Sequence, residues 1–220
     1  MITLYHVPQS RSMRVLWLLN ELDVEFRLVE KPFDGSLRTE EFLIRSPAGR
    51  VPALEIDGER MFESGAMVEY LCERFPERGI GQLPGAMDRM AWLVWVHFAE
   101  TVSQHVAALT LQHVVLGADG SDPTKRIEVA QLLNCYAAIE ARLSTPVENR
   151  DYLLTGGYSA ADICVGQAVY MARHFAPLDG FPEVAAWFER ITERQSYRDA
   201  LPREGSSRMY DRDFYPPPAG

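Results

Sequence analysis

The sequence predicts an α/β domain over residues 1–79, an all-α helical bundle over 86–205 and a tail at 206–220. Three observations predict this. Strand-like alternation and helix-like periodicity take turns up to about residue 75. The stretch Pro76-Glu77-Arg78-Gly79-Ile80-Gly81-Gln82-Leu83-Pro84-Gly85 is dense in breakers and reads as a linker. Beyond it only helical spacing is found.

The elements follow in order. A strand is expected at 2–6, then a helix at 11–22 with Val15, Leu18, Leu19 and Leu22 on one face. A strand at 25–29 and a short helix at 39–44 come next. Ala53-Leu54-Glu55-Ile56 alternates as a strand, Asp57-Gly58 is a type I′ hairpin signal, and Arg60-Met61-Phe62 is the return strand. A helix at 64–74 carries Met67, Tyr70, Leu71 and Phe75 at helical spacing before Pro76 stops it. In the second half helices are expected at 86–116, 123–143, 159–173 and 183–194. Ser159-Ala160-Ala161-Asp162 is a relative of the capping box, for which loss of the Asp162 carboxylate should cost about 1 kcal/mol or somewhat more. The tail Tyr215-Pro216-Pro217-Pro218-Ala219-Gly220 is too rich in proline for a helix and either frays or lies over the body.

Composition limits the function classes. A hydrophobic fraction of 47% in 220 residues is enough for packed cores, and the net charge of −9 without a basic stripe excludes a nucleic-acid partner. The longest strongly apolar stretch, 90–99 interrupted by His97, is about half of what a bilayer needs. No signal peptide opens the chain, so a cytoplasmic location without membrane partners is expected. Cys72, Cys135 and Cys164 are odd in number, far apart and set in apolar helical patterns, which suggests core residues rather than disulfides or a zinc site.

The candidate site starts at Arg50-Val51-Pro52. Proline directly before an alternating run belongs at a strand's first residue, and it holds Val51 extended. If the Val51–Pro52 bond is cis, the Val51 N–H and C=O face outward and can take up an extended peptide as an added strand. Eleven residues after the proline, Glu63-Ser64 opens a helix. The orphan amides there suit a carboxylate beside Ser64, while Glu63 suits an ammonium group.

These residues, together with Thr3-Leu4-Tyr5-His6-Val7-Pro8-Gln9-Ser10-Arg11-Ser12, resemble the soluble glutathione transferases, in particular serine-type, bacterial-like members. The likeness covers nearly the whole chain. It implies a thioredoxin-like first domain, with no Cys-x-x-Cys for disulfide exchange, and an all-α second domain contributing the electrophile pocket. Glutathione would be the co-substrate, held by Arg50 at its glycine carboxylate, by the backbone at Val51 and Pro52, and by Glu63 and Ser64 at its γ-glutamyl end. The resemblance also implies a homodimer and a small-molecule electrophile bound between the domains by the 7–12 loop, helix 86–116 and the tail aromatics Tyr210, Phe214 and Tyr215. No metal is expected. His97, His105 and His113, although eight apart, have no carboxylate cluster at ligand spacing.

Thiol activation requires a hydroxyl beside the sulfur. A free thiol has a pKa of about 8.5, and lowering it by two units asks for roughly 2.7 kcal/mol. Ser10 at the start of helix 11–22 is the first candidate, where serine-type members place their hydroxyl; its plainer role is an N-cap. Tyr5 is the fallback, where tyrosine-type members place a phenol, although a strand tyrosine commonly serves packing alone. Ser12 is held in reserve. Two function classes are open: a transferase adding glutathione to a small hydrophobic electrophile, with related reductase, isomerase or dehalogenase chemistry, or a non-catalytic scaffold that binds glutathione or another ligand.

Overall fold

A computed structural model describes residues 1–145 and 151–218, and the last two positions of the proline-rich tail, Ala219 and Gly220, lie outside the described residues. The chain forms two compact units, one of 1–83 with 192–209 and one of 84–191 with 210–220. The observed elements are β1 Ile2–His6, α1 Ser12–Glu21, β2 Phe26–Glu30, α2 Glu40–Leu43, β3 Ala53–Ile56, β4 Glu59–Phe62, α3 Ser64–Arg74, α4 Arg89–Thr110, α5 Asp122–Ser144, α6 Ala160–Ala172, α7 Pro182–Thr192 and α8 Gln195–Arg198. The α/β-then-all-α class read from the sequence is the observed one.

The first unit is a four-stranded sheet in the order β2-β1-β3-β4. β1 and β2 run parallel because α1 carries the chain back between them, whereas β3 is antiparallel to both β1 and β4. Asp57 at φ 51° and Gly58 at φ 90° make the left-handed turn that closes the β3–β4 hairpin. Central β1 is buried along its whole length. Leu4 faces Leu54 and Ile2 faces Ile56 across the β1–β3 ladder, while Tyr5 and Ala53 gather with Phe42 of α2 on the other face.

The unit is not continuous in sequence, a feature the periodicity did not carry. Segment 192–209 returns to α1, where Trp17 Nε1 donates to Ser196 Oγ at 3.1 Å, Arg194 Nε donates to Glu21 at 3.0 Å and the Trp17 and Tyr197 rings meet edge-on at 4.9 Å. Glu21 thereby ties the end of α1 to this returning strap.

The second unit is built around α6, in which every residue except Tyr170 is buried. A helix apolar on all sides must be surrounded, and α4 is its main neighbour. A single π-helical turn over Leu111–Val115 prolongs α4. Tyr210 and Tyr215 of the tail pack with Phe175, and the Tyr215 N–H donates to the His174 carbonyl at 2.7 Å, so this part of the tail lies against its unit. Among the described residues no helix is long and apolar enough to cross a membrane.

Asp162 does more than the sequence assigned to it. Besides the reciprocal capping bonds with Ser159, its fully buried carboxylate accepts from the Leu153 N–H at 3.0 Å and from Trp187 Nε1 at 2.9 Å. Removing it orphans buried donors from three segments, each at about 1–3 kcal/mol. Asp162→Ala should therefore lose about 3 kcal/mol or more, beyond a simple cap. Urea unfolding checks this, and a loss near the 1 kcal/mol of an ordinary cap would contradict the network.

Candidate functional site

The sheet register places the candidate segments together. Tyr5 stands opposite Ala53, and Ala53 opposite Phe62. The loop after β1, the Arg50-Val51-Pro52 segment before β3 and the Glu63-Ser64 pair after β4 therefore all leave the same end of three adjacent strands. Sequence spacing alone does not reveal this adjacency.

The loop after β1 is a compact hydroxyl network. Gln9 adopts φ 56°, turning the chain toward α1. Ser10 Oγ donates to the Val7 carbonyl at 2.7 Å and lies 2.7 Å from Ser12 Oγ. Ser12 Oγ accepts from the Val7 N–H at 3.1 Å and lies 2.8 Å from His6 Nδ1. Both hydroxyls are buried, Ser12 completely and Ser10 with 6% exposed, so Ser10 is the more accessible of the two. α1 has Arg11 as its N-cap residue without a side-chain cap, and Ser10 Oγ accepts from the Ser12 N–H only at 3.3 Å. Capping is thus a minor part of what Ser10 does here. No acidic residue occupies the first turn of α1, which leaves the positive end of the helix dipole uncompensated by a carboxylate there.

Tyr5 is directed elsewhere. Its phenol donates to Glu55 at 3.1 Å and accepts from Arg45 Nε at 2.8 Å, and the Arg45 guanidinium sits 5.0 Å from its ring centre. Because neighbouring strand residues project to opposite faces, this cluster lies across the sheet from His6 and Ser12.

The Val51–Pro52 bond is cis. Val51 is half-buried against the Tyr5, Phe42 and Ala53 cluster, and among the described residues neither its N–H nor its C=O has a hydrogen-bond partner. Arg50 is exposed, with its backbone N–H donating to Ser46 Oγ at 3.3 Å. Pro52 is buried at the foot of β3.

At the start of α3, Glu63 holds φ 76° without capping the helix through its side chain. A non-glycine residue in this conformation is strained, and such residues gather at functional sites. The Glu63 side chain is exposed and Ser64 is buried. Ser64 Oγ accepts from Arg14 Nη1 at 2.9 Å, and Arg14 is itself fully buried. This arginine, given no role from the sequence, couples α1 to the first turn of α3. Its signal was present: position 14 lies one turn before Leu18 on the apolar stripe, where a charge is out of place unless it has work there. His6 was likewise passed over. Burial pushes its imidazole down to about 4, so it is neutral at physiological pH.

The histidines on α4 and its extension diverge: His105 Nδ1 lies 2.7 Å from Glu128, while His113 sits among Phe175 and Tyr215. Among the described residues no group of three or more His, Cys, Asp or Glu side chains is placed to hold a metal ion.

Comparisons with known proteins identify the family. Residues 4–79 match the family model described as "Glutathione S-transferase, N-terminal domain", and residues 101–195 match "Glutathione S-transferase, C-terminal domain". Glutathione S-transferase 3 of Zea mays is 30% identical over 215 residues, covering 91% of this chain and 93% of that protein. A glutathione transferase from Methylococcus capsulatus superposes with a TM-score of 0.77 at 25% identity, covering 91% of this chain and 97% of the other. A sphingomonad glutathione S-transferase complexed with glutathione gives 0.76 at 25% identity, covering 90% and 96%. The hydroxyl-bearing loop, the cis-proline segment and the strained helix start thus occur in a chain that belongs to the glutathione S-transferase family.

Proposed function

We propose that the protein lays glutathione across the end of the first unit's sheet and ionises its thiol beside Ser10 for attack on a small hydrophobic electrophile. Glutathione binding and transferase chemistry belong to it at the level of the family. The observation that carries the finer reading is the shared sheet end. Strands lie about 4.8 Å apart, so the span from β1 to β4 is roughly 10 Å, and an extended tripeptide is also about 10 Å long. One end of such a peptide meets the first turn of α3 while its middle pairs with Val51 and its sulfur reaches the loop after β1.

Each residue has a part in this. The orphan amides of α3 and Ser64 take the γ-glutamyl carboxylate, Glu63 the ammonium, the Val51 backbone the cysteinyl unit and Arg50 the glycine carboxylate. Ser10 turns its hydrogen from the Val7 carbonyl to the sulfur. A hydrogen bond to a charged group contributes about 1.5–3 kcal/mol, and the helix dipole about 0.3–1 kcal/mol. Together they reach the 2.7 kcal/mol that a two-unit pKa drop needs. The thiol proton leaves to solvent, the sulfur's electron pair forms the bond to the electrophilic carbon, and in a substitution the leaving group departs with the pair of the broken bond. Tyr5, engaged by Glu55 and Arg45, is left out of this scheme. Cytoplasmic location and a homodimeric assembly complete the reading.

Steady-state kinetics test the assignment. Ser10→Ala should lower kcat about a hundredfold while leaving the KM for glutathione within about threefold, and Tyr5→Phe should stay within about threefold in both. A fully active Ser10→Ala beside an inactive Tyr5→Phe would move the role to the tyrosine. Glutathione binding to the unaltered protein without a lowered thiol pKa would instead favour the scaffold alternative.

Arg14 gives a second test. Replacing Arg14 by methionine removes the desolvation cost of a buried cation together with its hydrogen bond, and it strips Ser64 of a donor that orients it. Arg14→Met should retain most of the thermal stability while weakening glutathione about tenfold, some 1.4 kcal/mol by calorimetry. Unchanged affinity would reduce Arg14 to a packing residue.

A further inference from the structure

We infer that His6 is a positioning residue for the thiol step: acting through Ser12, it sets the direction of the hydroxyl hydrogens in the Ser12–Ser10 pair and so the strength with which Ser10 holds a thiolate. This rests on the reading of Ser10 as the sulfur's partner. The chain of contacts is continuous, with His6 Nδ1 and Ser12 Oγ 2.8 Å apart and the two serine oxygens 2.7 Å apart.

Hydrogen counting decides how the chain works. Each hydroxyl owns one hydrogen. Ser12 Oγ has the Val7 N–H donating to it at 3.1 Å, and its own hydrogen has three acceptors in reach: His6 Nδ1, Ser10 Oγ and the Val7 carbonyl at 3.2 Å. If His6 Nδ1 is bare, it draws that hydrogen away from Ser10. If His6 carries its hydrogen on Nδ1, it donates to Ser12, Ser12 donates to Ser10, and Ser10 donates onward.

A thiolate is an acceptor only, so its arrival selects the second arrangement, in which every donor points toward the sulfur. Aligned donors polarise one another, and the terminal Ser10 hydroxyl becomes a stronger donor than an isolated serine. Ser12 then accepts from the Val7 N–H and from His6 while giving its single hydrogen to Ser10, which fills its bonding capacity.

His6 does not serve as the base. Burial holds its imidazole neutral and pushes its pKa down to about 4, far too low to keep a proton taken from a thiol. Its neutrality is useful in a different way, since a neutral ring can take either tautomer and adapt to the charge state of the sulfur.

The test follows the ultraviolet absorbance of the bound thiolate against pH in the full-length protein with saturating glutathione. Unaltered protein is compared with His6→Phe, His6→Asn and Ser12→Ala, with calorimetric Kd and kcat measured alongside. His6→Phe and Ser12→Ala should each raise the bound thiol pKa by about one unit, a tenfold loss of thiolate below that pKa. Measured below the bound thiol pKa, where glutathione is held as the thiol in every variant, the Kd should stay within about twofold, and His6→Asn, which restores an amide N–H near the Nδ1 position, should recover most of the shift. Should His6→Phe fail to fold, Ser12→Ala breaks the same chain with a smaller change and carries the test. A wild-type thiol pKa in both chain-breaking variants overturns this inference alone. A thiol left unshifted in the unaltered protein overturns the Ser10 reading, and this one with it.

Discussion

Tyr5, Ala53 and Phe62 stand abreast in three neighbouring strands, and the candidate site depends on that register. The pairing is fixed by what each face must bury. Ile2 and Leu4 meet Ile56 and Leu54 on one side of the sheet, while Tyr5 and Ala53 meet Phe42 on the other. A slip of one residue would exchange the faces, putting a polar Thr3 and Glu55 where the aliphatic pairs now pack. Because this is costly, the loop after β1, the segment before β3 and the turn after β4 are held at one sheet end.

Electrostatics sharpen what the register assembles. Two helices begin at this end: α1 without acid in its first turn, and α3 with Glu63 forced into positive φ and its side chain turned away from capping. Their amides are thus available to anions rather than spent on the protein's own carboxylates. Arg14 adds a buried positive group bound to Ser64, so the two helix starts are mechanically linked. Under the proposed function, recognition and thiol activation share one support, and a disturbance at either helix should be felt at the other.

Much of the fold was legible because its signals are local. Helix 64–74 falls on the observed Ser64–Arg74, and the Asp57-Gly58 turn is set by a dipeptide whose backbone preference is intrinsic. The Val51-Pro52 and Glu63-Ser64 pairs were visible for a similar reason, since proline and a helix start constrain their immediate neighbours. What sequence reading missed depends on contacts across the chain. The return of 192–209 to α1 rests on Ser196 and Arg194 meeting Trp17 and Glu21, partners more than 170 positions away. Arg14 and His6 acquire meaning only once Ser64 and Ser12 are beside them. Tyr5, a reasonable fallback from its place in β1, is claimed by Arg45 and Glu55, whose proximity no spacing rule encodes. Asp162 was read as a cap and proved to be a junction of three segments for the same reason.

The most direct test of this account is a crystal structure of the protein with glutathione. The account predicts the cysteinyl backbone paired with Val51, the γ-glutamyl carboxylate at the first turn of α3 beside Ser64, and the sulfur within hydrogen-bonding distance of Ser10 Oγ. A tripeptide lying away from this sheet end, or a sulfur turned to the Tyr5 phenol, would contradict it.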